Sequence, residues 1–72
     1  MFLLTIYYDE YDKKKKRILI PIKKIDNIVE FLEDDNIADI VKTVIIIGAE
    51  SLYCCETIDD LDKKLNGGQN GN

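Results

Sequence analysis

The most prominent chemical feature of the sequence is a run of five consecutive cationic residues: Lys13, Lys14, Lys15, Lys16 and Arg17. At the tip of a hairpin, such a run could contact phosphates as a β-ribbon arm does. The alternative is a solvated turn whose charges are partly neutralised by the carboxylates just before it, Asp9, Glu10 and Asp12. We favour the turn because the whole chain carries a net charge of −4, which repels nucleic acid at long range.

Carboxylates form a second group of candidate residues. They cluster along two segments predicted to be helical, and six of them are candidates for binding a partner: Glu30, Glu33, Asp34, Asp35, Asp59 and Asp62. Spaced along one face, such side chains can imitate a phosphate backbone and occupy the basic groove of a nucleic-acid enzyme. The alternative is that Asp59 and Asp60 stabilise a helix N-terminus while the other carboxylates keep a small domain soluble.

The sequence offers little for catalysis. It contains no histidine, so Ser–His and Cys–His mechanisms are excluded. Cys54 and Cys55 are neighbours in a predicted strand, where their thiols point to opposite faces and a disulfide between them would be strained. No glycine-rich phosphate loop and no calcium-loop motif is present, so we expect no enzyme activity, no metal and no cofactor.

Length and composition predict one small globular domain. The 72 residues are 46% hydrophobic, which is enough for a core. A domain of this length nevertheless buries a smaller fraction of its surface than a larger domain does, so we expect its stability to be marginal. No apolar run is long enough to span a membrane, and the apolar N-terminus is typical of a strand rather than a signal peptide. Two cysteines without a secretory signal favour the reducing cytoplasm.

The elements that would position these residues are predicted from periodicity. We expect strands over 2–8, 17–22, 41–47 and 52–56, with a tight hairpin at Gly48-Ala49 and Pro21 at a sheet edge. In the first two strands, we expect the even-numbered positions to face the core. The predicted core residues are Ile20, Ile28, Leu32, Ile46, Ile58 and Leu61.

Two helices complete the prediction. One runs from Lys23 to about Asp34, and the other starts at the N-cap Thr57 and ends at Leu65, before Asn66-Gly67-Gly68. The fold class is therefore α+β, with the order ββαββα and a four-stranded antiparallel sheet that carries both helices on one face. Residues 1–66 form this domain, and 67–72 are a disordered polar tail.

The two ββα halves could be an internal pseudo-repeat. The segment that starts at Arg17 resembles the segment that starts at Glu50, at a constant offset of 33 residues. Isoleucine and leucine occupy matching positions in the two predicted helices. Similar hairpin–helix patterns can also arise independently.

Two helices can cover only one face of this sheet, so the other face should expose apolar side chains. We expect Leu3, Tyr7 and Leu19 there, with Tyr7 and Tyr53 as anchors for a partner. The predicted assembly is a homodimer or a hetero-complex through this face or through the edge strand that contains Pro21. The alternative is that sheet twist and loops cover the excess.

In size and acidity, the chain is similar in kind to small phage-encoded inhibitors of host nucleases, such as anti-CRISPR proteins and uracil-DNA glycosylase inhibitors. This resemblance implies a small acidic protein-binding module, an inhibitor encoded by a phage or other mobile element and aimed at a host nucleic-acid enzyme. The alternatives are a nucleic-acid-binding protein that uses Lys13 to Arg17, and a homo-oligomeric structural protein. Direct nucleic-acid binding is the less favoured hypothesis because the chain is acidic.

Overall fold

The computed structural model describes residues 1–31 and 40–70, with side-chain burial given for 1–31 and 40–67. The elements, in chain order, are β1 (Phe2–Asp9), β2 (Lys14–Pro21), a 3-10 turn (Ile22–Lys24), β3 (Asn27–Glu30), β4 (Thr43–Ile47), β5 (Glu50–Cys54) and α1 (Ile58–Asn70). The strands form one sheet in the order β2-β1-β5-β4-β3, and every neighbouring pair is antiparallel.

This architecture corrects the predicted four-stranded sheet with two helices. The sheet has five strands, and the described part of the chain holds one α-helix. The pseudo-repeat fails for the same reason, because the first hairpin is followed by a strand and the second by a helix. The α+β class itself is retained.

The described part of the segment predicted as the first helix, residues 23–31, instead contains a turn and β3. Three of its apolar residues, Ile25, Ile28 and Val29, are β-branched, which favours a strand over a helix. Ile28 pairs with Ile45 of β4, and the backbone N–H of Asp26 donates to the carbonyl of Ile46 at 2.8 Å. The C-terminal part of the predicted helix, including Leu32, lies outside the described residues.

The β1–β2 hairpin also corrects the predicted facing of β1. Leu3 pairs with Ile20, and both are buried, whereas Leu4 pairs with Leu19, and both are exposed. Each directly opposed pair in this hairpin joins an even-numbered residue to an odd-numbered one. The even positions of the two strands therefore cannot share a face, and in β1 the odd positions face the core.

The β4–β5 hairpin turns at the predicted residues, although its strands span Thr43–Ile47 and Glu50–Cys54 instead of the predicted 41–47 and 52–56. Ile47 pairs with Glu50 across the two-residue turn Gly48-Ala49, and Gly48 has a φ of 61°. A positive φ at the first central position is what a type II′ turn requires, and glycine adopts it without steric cost. The carboxylate of Asp26 accepts the Gly48 N–H at 2.7 Å and ties this turn to the chain before β3.

The core lies between the sheet and α1. Its fully buried cluster joins residues from four strands and the helix: Leu3, Ile20, Ile45, Cys54 and Leu61. Of the six predicted core residues, Ile20 and Leu61 are buried in this cluster, and the half-buried Ile28 packs against it. Ile58 is half-buried. Ile46 is also half-buried but lies on the opposite face of the sheet from its buried neighbour Ile45, so its assignment to the core is wrong. The sixth, Leu32, is outside the described residues.

Helix α1 begins with a capping box, as predicted. The Asp60 N–H donates to Thr57 Oγ1 at 3.1 Å, and the Thr57 N–H donates to Asp60 Oδ2 at 3.3 Å. The helix continues through Gly67 and Gly68 to Asn70, beyond its predicted end at Leu65. The disorder of residues 67–72 in solution stays a prediction.

Candidate interaction surfaces

The face of the sheet opposite α1, called the open face below, is apolar and exposed. In β1 it presents Phe2, Leu4 and Ile6, which are 62%, 45% and 36% exposed. Leu19 of edge strand β2 and Val29 of edge strand β3 add to it, at 61% and 47% exposed. The predicted surplus apolar face is therefore present. Leu19 lies on it as predicted, but Leu3 does not, because Leu3 is in the core.

The charged residues at strand positions of the open face are both cations. Lys15 pairs with Tyr8, and Arg17 pairs with Ile6, so alternation places both cations on this side of β2. The described strands contribute no carboxylate to it: their remaining open-face residues are Pro21, Asn27, Val44, Ile46, Ser51 and Tyr53. The open face thus combines apolar side chains with positive charge on an acidic protein.

The basic run is divided by the strand geometry rather than presented as one patch. Lys13 lies in the turn with a φ of 55°, and Lys14 and Lys16 alternate onto the helix side of β2. Lys16 Nζ donates to Asp9 Oδ2 at 2.7 Å and to Asp12 Oδ2 at 2.5 Å. These two hydrogen bonds raise the pKa of Lys16, and the bond from Lys16 is the main reason that the pKa of Asp9 is lowered.

The predicted acidic site is described only in part. Asp59 and Asp62 are exposed on α1, three positions apart and so on neighbouring parts of its surface. Glu30 is exposed on β3, a strand that α1 contacts. The other three candidate carboxylates, Glu33, Asp34 and Asp35, lie outside the described residues.

The two predicted anchors occupy opposite faces of the sheet. Tyr7 pairs with the buried Cys54 and so points to the helix side, whereas Tyr53 pairs with Val44 on the open face. Both nevertheless line one cleft of about 270 Å³ at the end of β1, together with Tyr8 and Tyr11. The sequence did not predict this cleft because it depends on β1 lying beside β5, a contact between distant parts of the chain.

A polar cluster under the start of α1 joins the helix to β1. The buried Thr5 hydroxyl donates to Glu56 Oε1 at 2.6 Å and lies 3.1 Å from Cys54 Sγ. Lys64 Nζ donates to the same Glu56 oxygen at 2.7 Å and to the carbonyl of Leu4 at 2.8 Å. These bonds satisfy the polar groups at the helix–sheet junction, so we assign the cluster a structural role.

Both cysteines are free thiols. Cys54 is fully buried, and burial raises the pKa of the half-buried Cys55. A raised pKa lowers the thiolate fraction at neutral pH, so Cys55 is a weak nucleophile.

No helix in the described residues is long and apolar enough to cross a membrane. Residues 1–31 and 40–70 likewise hold no group of three side chains that could bind a metal ion. Comparisons with protein families, with curated proteins and with solved structures give no match for this chain.

Proposed function

We propose that this chain is a non-enzymatic protein-binding module that docks through its open face. The observation that carries the proposal is the exposed cross-strand pair Leu4 and Leu19, flanked by the 62%-exposed Phe2. Contiguous exposed apolar side chains mark interaction sites, and their burial contributes about 25 cal/mol for each Å² removed from water.

Charge complementarity indicates what kind of surface the partner presents. Lys15 and Arg17 accompany the apolar residues, so we expect a partner with an apolar patch bordered by carboxylates. A second copy of the chain offers the same two cations at this face, which favours a different protein over a homodimer. The two free thiols suit a reducing compartment, and we place the protein in the cytoplasm.

A narrower version of the proposal concerns the other side of the molecule. There, the exposed carboxylates of Asp59 and Asp62 would imitate phosphates and engage the basic groove of a nucleic-acid enzyme, as a phage-encoded inhibitor does. Their exposure on neighbouring turns of α1 supports this version. It predicts a basic partner surface, whereas docking through the open face predicts an acidic one.

Capture from a cell extract with matched variants tests these two versions together. Leu4→Ser with Leu19→Ser removes apolar groups that are already exposed, so the fold should survive, which circular dichroism would verify. We expect at least about a tenfold loss of captured partner, because burying one leucine contributes about 1.5–3 kcal/mol. The control pair Asp59→Asn with Asp62→Asn should capture normally. The opposite pattern would support the inhibitor version and contradict docking through the open face.

Single-stranded nucleic acid is the second candidate ligand, on one specific observation. Lys15 and Arg17 share the open face with the aromatic residues Phe2, Tyr8 and Tyr53, and single-strand binders combine cations with aromatic stacking platforms. Fluorescence anisotropy with labelled oligonucleotides at two salt concentrations tests it. Salt-dependent binding that is lost in Lys15→Ala with Arg17→Ala would favour this candidate over a protein partner.

A further inference from the structure

We propose that the cleft at the end of β1 binds a cationic group, namely an alkylammonium or guanidinium head. The cleft is lined by all four tyrosines of the chain together with two carboxylates: Tyr7, Tyr8, Tyr11, Tyr53, Asp9 and Glu10. This site is separate from the apolar surface that carries the proposed function, although Tyr8 and Tyr53 border both.

The cleft exists because the two hairpins of the sheet separate at this end. β1 and β5 pair at one position only, Tyr7 with Cys54, next to the hydrogen bond from the Cys55 N–H to the Ile6 carbonyl at 2.8 Å. Next to this pair, Tyr8 and Asp9 of β1 pair with β2, whereas the residues of β5 on the same side, Glu50 to Tyr53, pair with β4. The space between the diverging strands is the cleft.

The lining has the chemistry of a cation site. The face of an aromatic ring carries negative potential, so rings attract ammonium and guanidinium groups, and phenol oxygens can accept their hydrogen bonds. Both of the charged side chains found in the lining are acidic, and Glu10, which is not paired with Lys16 as Asp9 is, favours a cation over an anion. At about 270 Å³, the cleft is smaller than a typical site for a drug-sized molecule and suits a single head group.

The two carboxylates, Asp9 and Glu10, differ in their roles at the cleft. Asp9 Oδ1 accepts the N–H groups of Tyr11 and Asp12 at 2.9 and 3.2 Å, and Asp9 Oδ2 accepts from Lys16, so Asp9 holds the turn in place. Lys16 also neutralises its charge. Glu10 is exposed at the rim of the cleft and supplies the charge that would attract the ligand.

Titration by NMR tests the proposal with tetramethylammonium chloride as the probe. The matched control is tert-butanol, which has nearly the same shape but no charge, and sodium chloride controls for ionic strength. We expect saturable shifts of the tyrosine ring signals and of the Tyr8 and Tyr53 amides with tetramethylammonium alone. Equal shifts with tert-butanol, or no saturable shift with tetramethylammonium, would overturn the proposal.

Two variants locate the binding. Tyr11→Ala removes a ring that is 98% exposed and so leaves the core intact, and Glu10→Gln removes the free charge. Tyr11→Ala should weaken tetramethylammonium binding by about 2- to 30-fold, the range expected for one cation–π contact. Glu10→Gln should also weaken it, because it removes a charge–charge attraction, and the loss should shrink as the salt concentration rises. Tyr11→Phe keeps the ring and should bind nearly as wild type does. Unchanged affinity in both Tyr11→Ala and Glu10→Gln would contradict the assignment of the site.

Discussion

Leu3 and Leu4 are adjacent residues with opposite environments, and they give the sharpest test of the facing of β1. Leu3 is 2% exposed and packs in the core, whereas Leu4 is 45% exposed on the open face. We expect Leu3→Ala to lower the free energy of unfolding by about 2–5 kcal/mol, as truncation of a buried leucine does. Leu4→Ala should cost less than about 1 kcal/mol, since its side chain is only partly shielded. Urea denaturation of both variants measures the difference, and equal losses would contradict the facing.

Asp9 makes a second prediction at the scale of one residue. Its pKa is held below the ordinary value of 3.8, chiefly by the hydrogen bond from Lys16. A carboxyl whose pKa is lowered on folding adds stability that is present above its ordinary pKa and lost as the pH falls through the lowered value. Lys16→Met should therefore move the Asp9 pKa back toward 3.8, as followed by carboxyl NMR. Lys24→Met, which removes an exposed lysine elsewhere, should leave it unchanged.

At the scale of elements, the turn between β4 and β5 requires glycine at position 48 because of the backbone conformation there, and not because space is lacking for a side chain. A side-chain carbon built onto Gly48 would meet no atom within 4 Å, so any penalty for adding one comes from its φ of 61°. We expect Gly48→Ala to destabilise the protein by about 1–3 kcal/mol, the cost of holding an L-residue in a sparsely populated backbone region with positive φ. Ala49→Ser is the matched control at the neighbouring position. A neutral Gly48→Ala variant in thermal unfolding would show that the turn has another geometry.

The helix cap provides the second test of an element. Thr57→Ala removes the side-chain acceptor for the Asp60 N–H and should cost about 1 kcal/mol. Thr57→Ser keeps the hydroxyl and should behave nearly as wild type does in chemical denaturation. If serine and alanine cost the same, the hydroxyl does not cap the helix.

The contrast between these elements and β3 shows what the sequence can predict. The turn at Gly48-Ala49 and the cap at Thr57 have local chemical signals, and both were predicted correctly. Ile25, Ile28 and Val29 also fit a helical period. This segment forms a strand instead, because its side chains are β-branched and because it pairs with β4. The position of β5 beside β1, and with it the tyrosine cleft, depends on contacts between distant residues that no local pattern specifies.

Across the whole molecule, the two sides of the sheet differ in chemistry. On the helix side, α1 packs over the core and carries the exposed carboxylates Asp59 and Asp62. The open face is apolar with two cations, and within the described residues no second helix covers it. A domain this small gains stability by burying such a face against a partner. This asymmetry is the basis for proposing a protein-binding module.

Hydroxyl-radical footprinting of the chain, alone and saturated with a captured partner, tests that proposal most directly. It measures how accessible individual side chains are, so it reports which side of the molecule the partner covers. Docking through the open face predicts protection of Phe2, Leu4 and Leu19, while the exposed Tyr11 and the half-buried Leu65 of α1 react as before. Protection confined to α1, with the three open-face residues as reactive as in the free chain, would contradict the proposal.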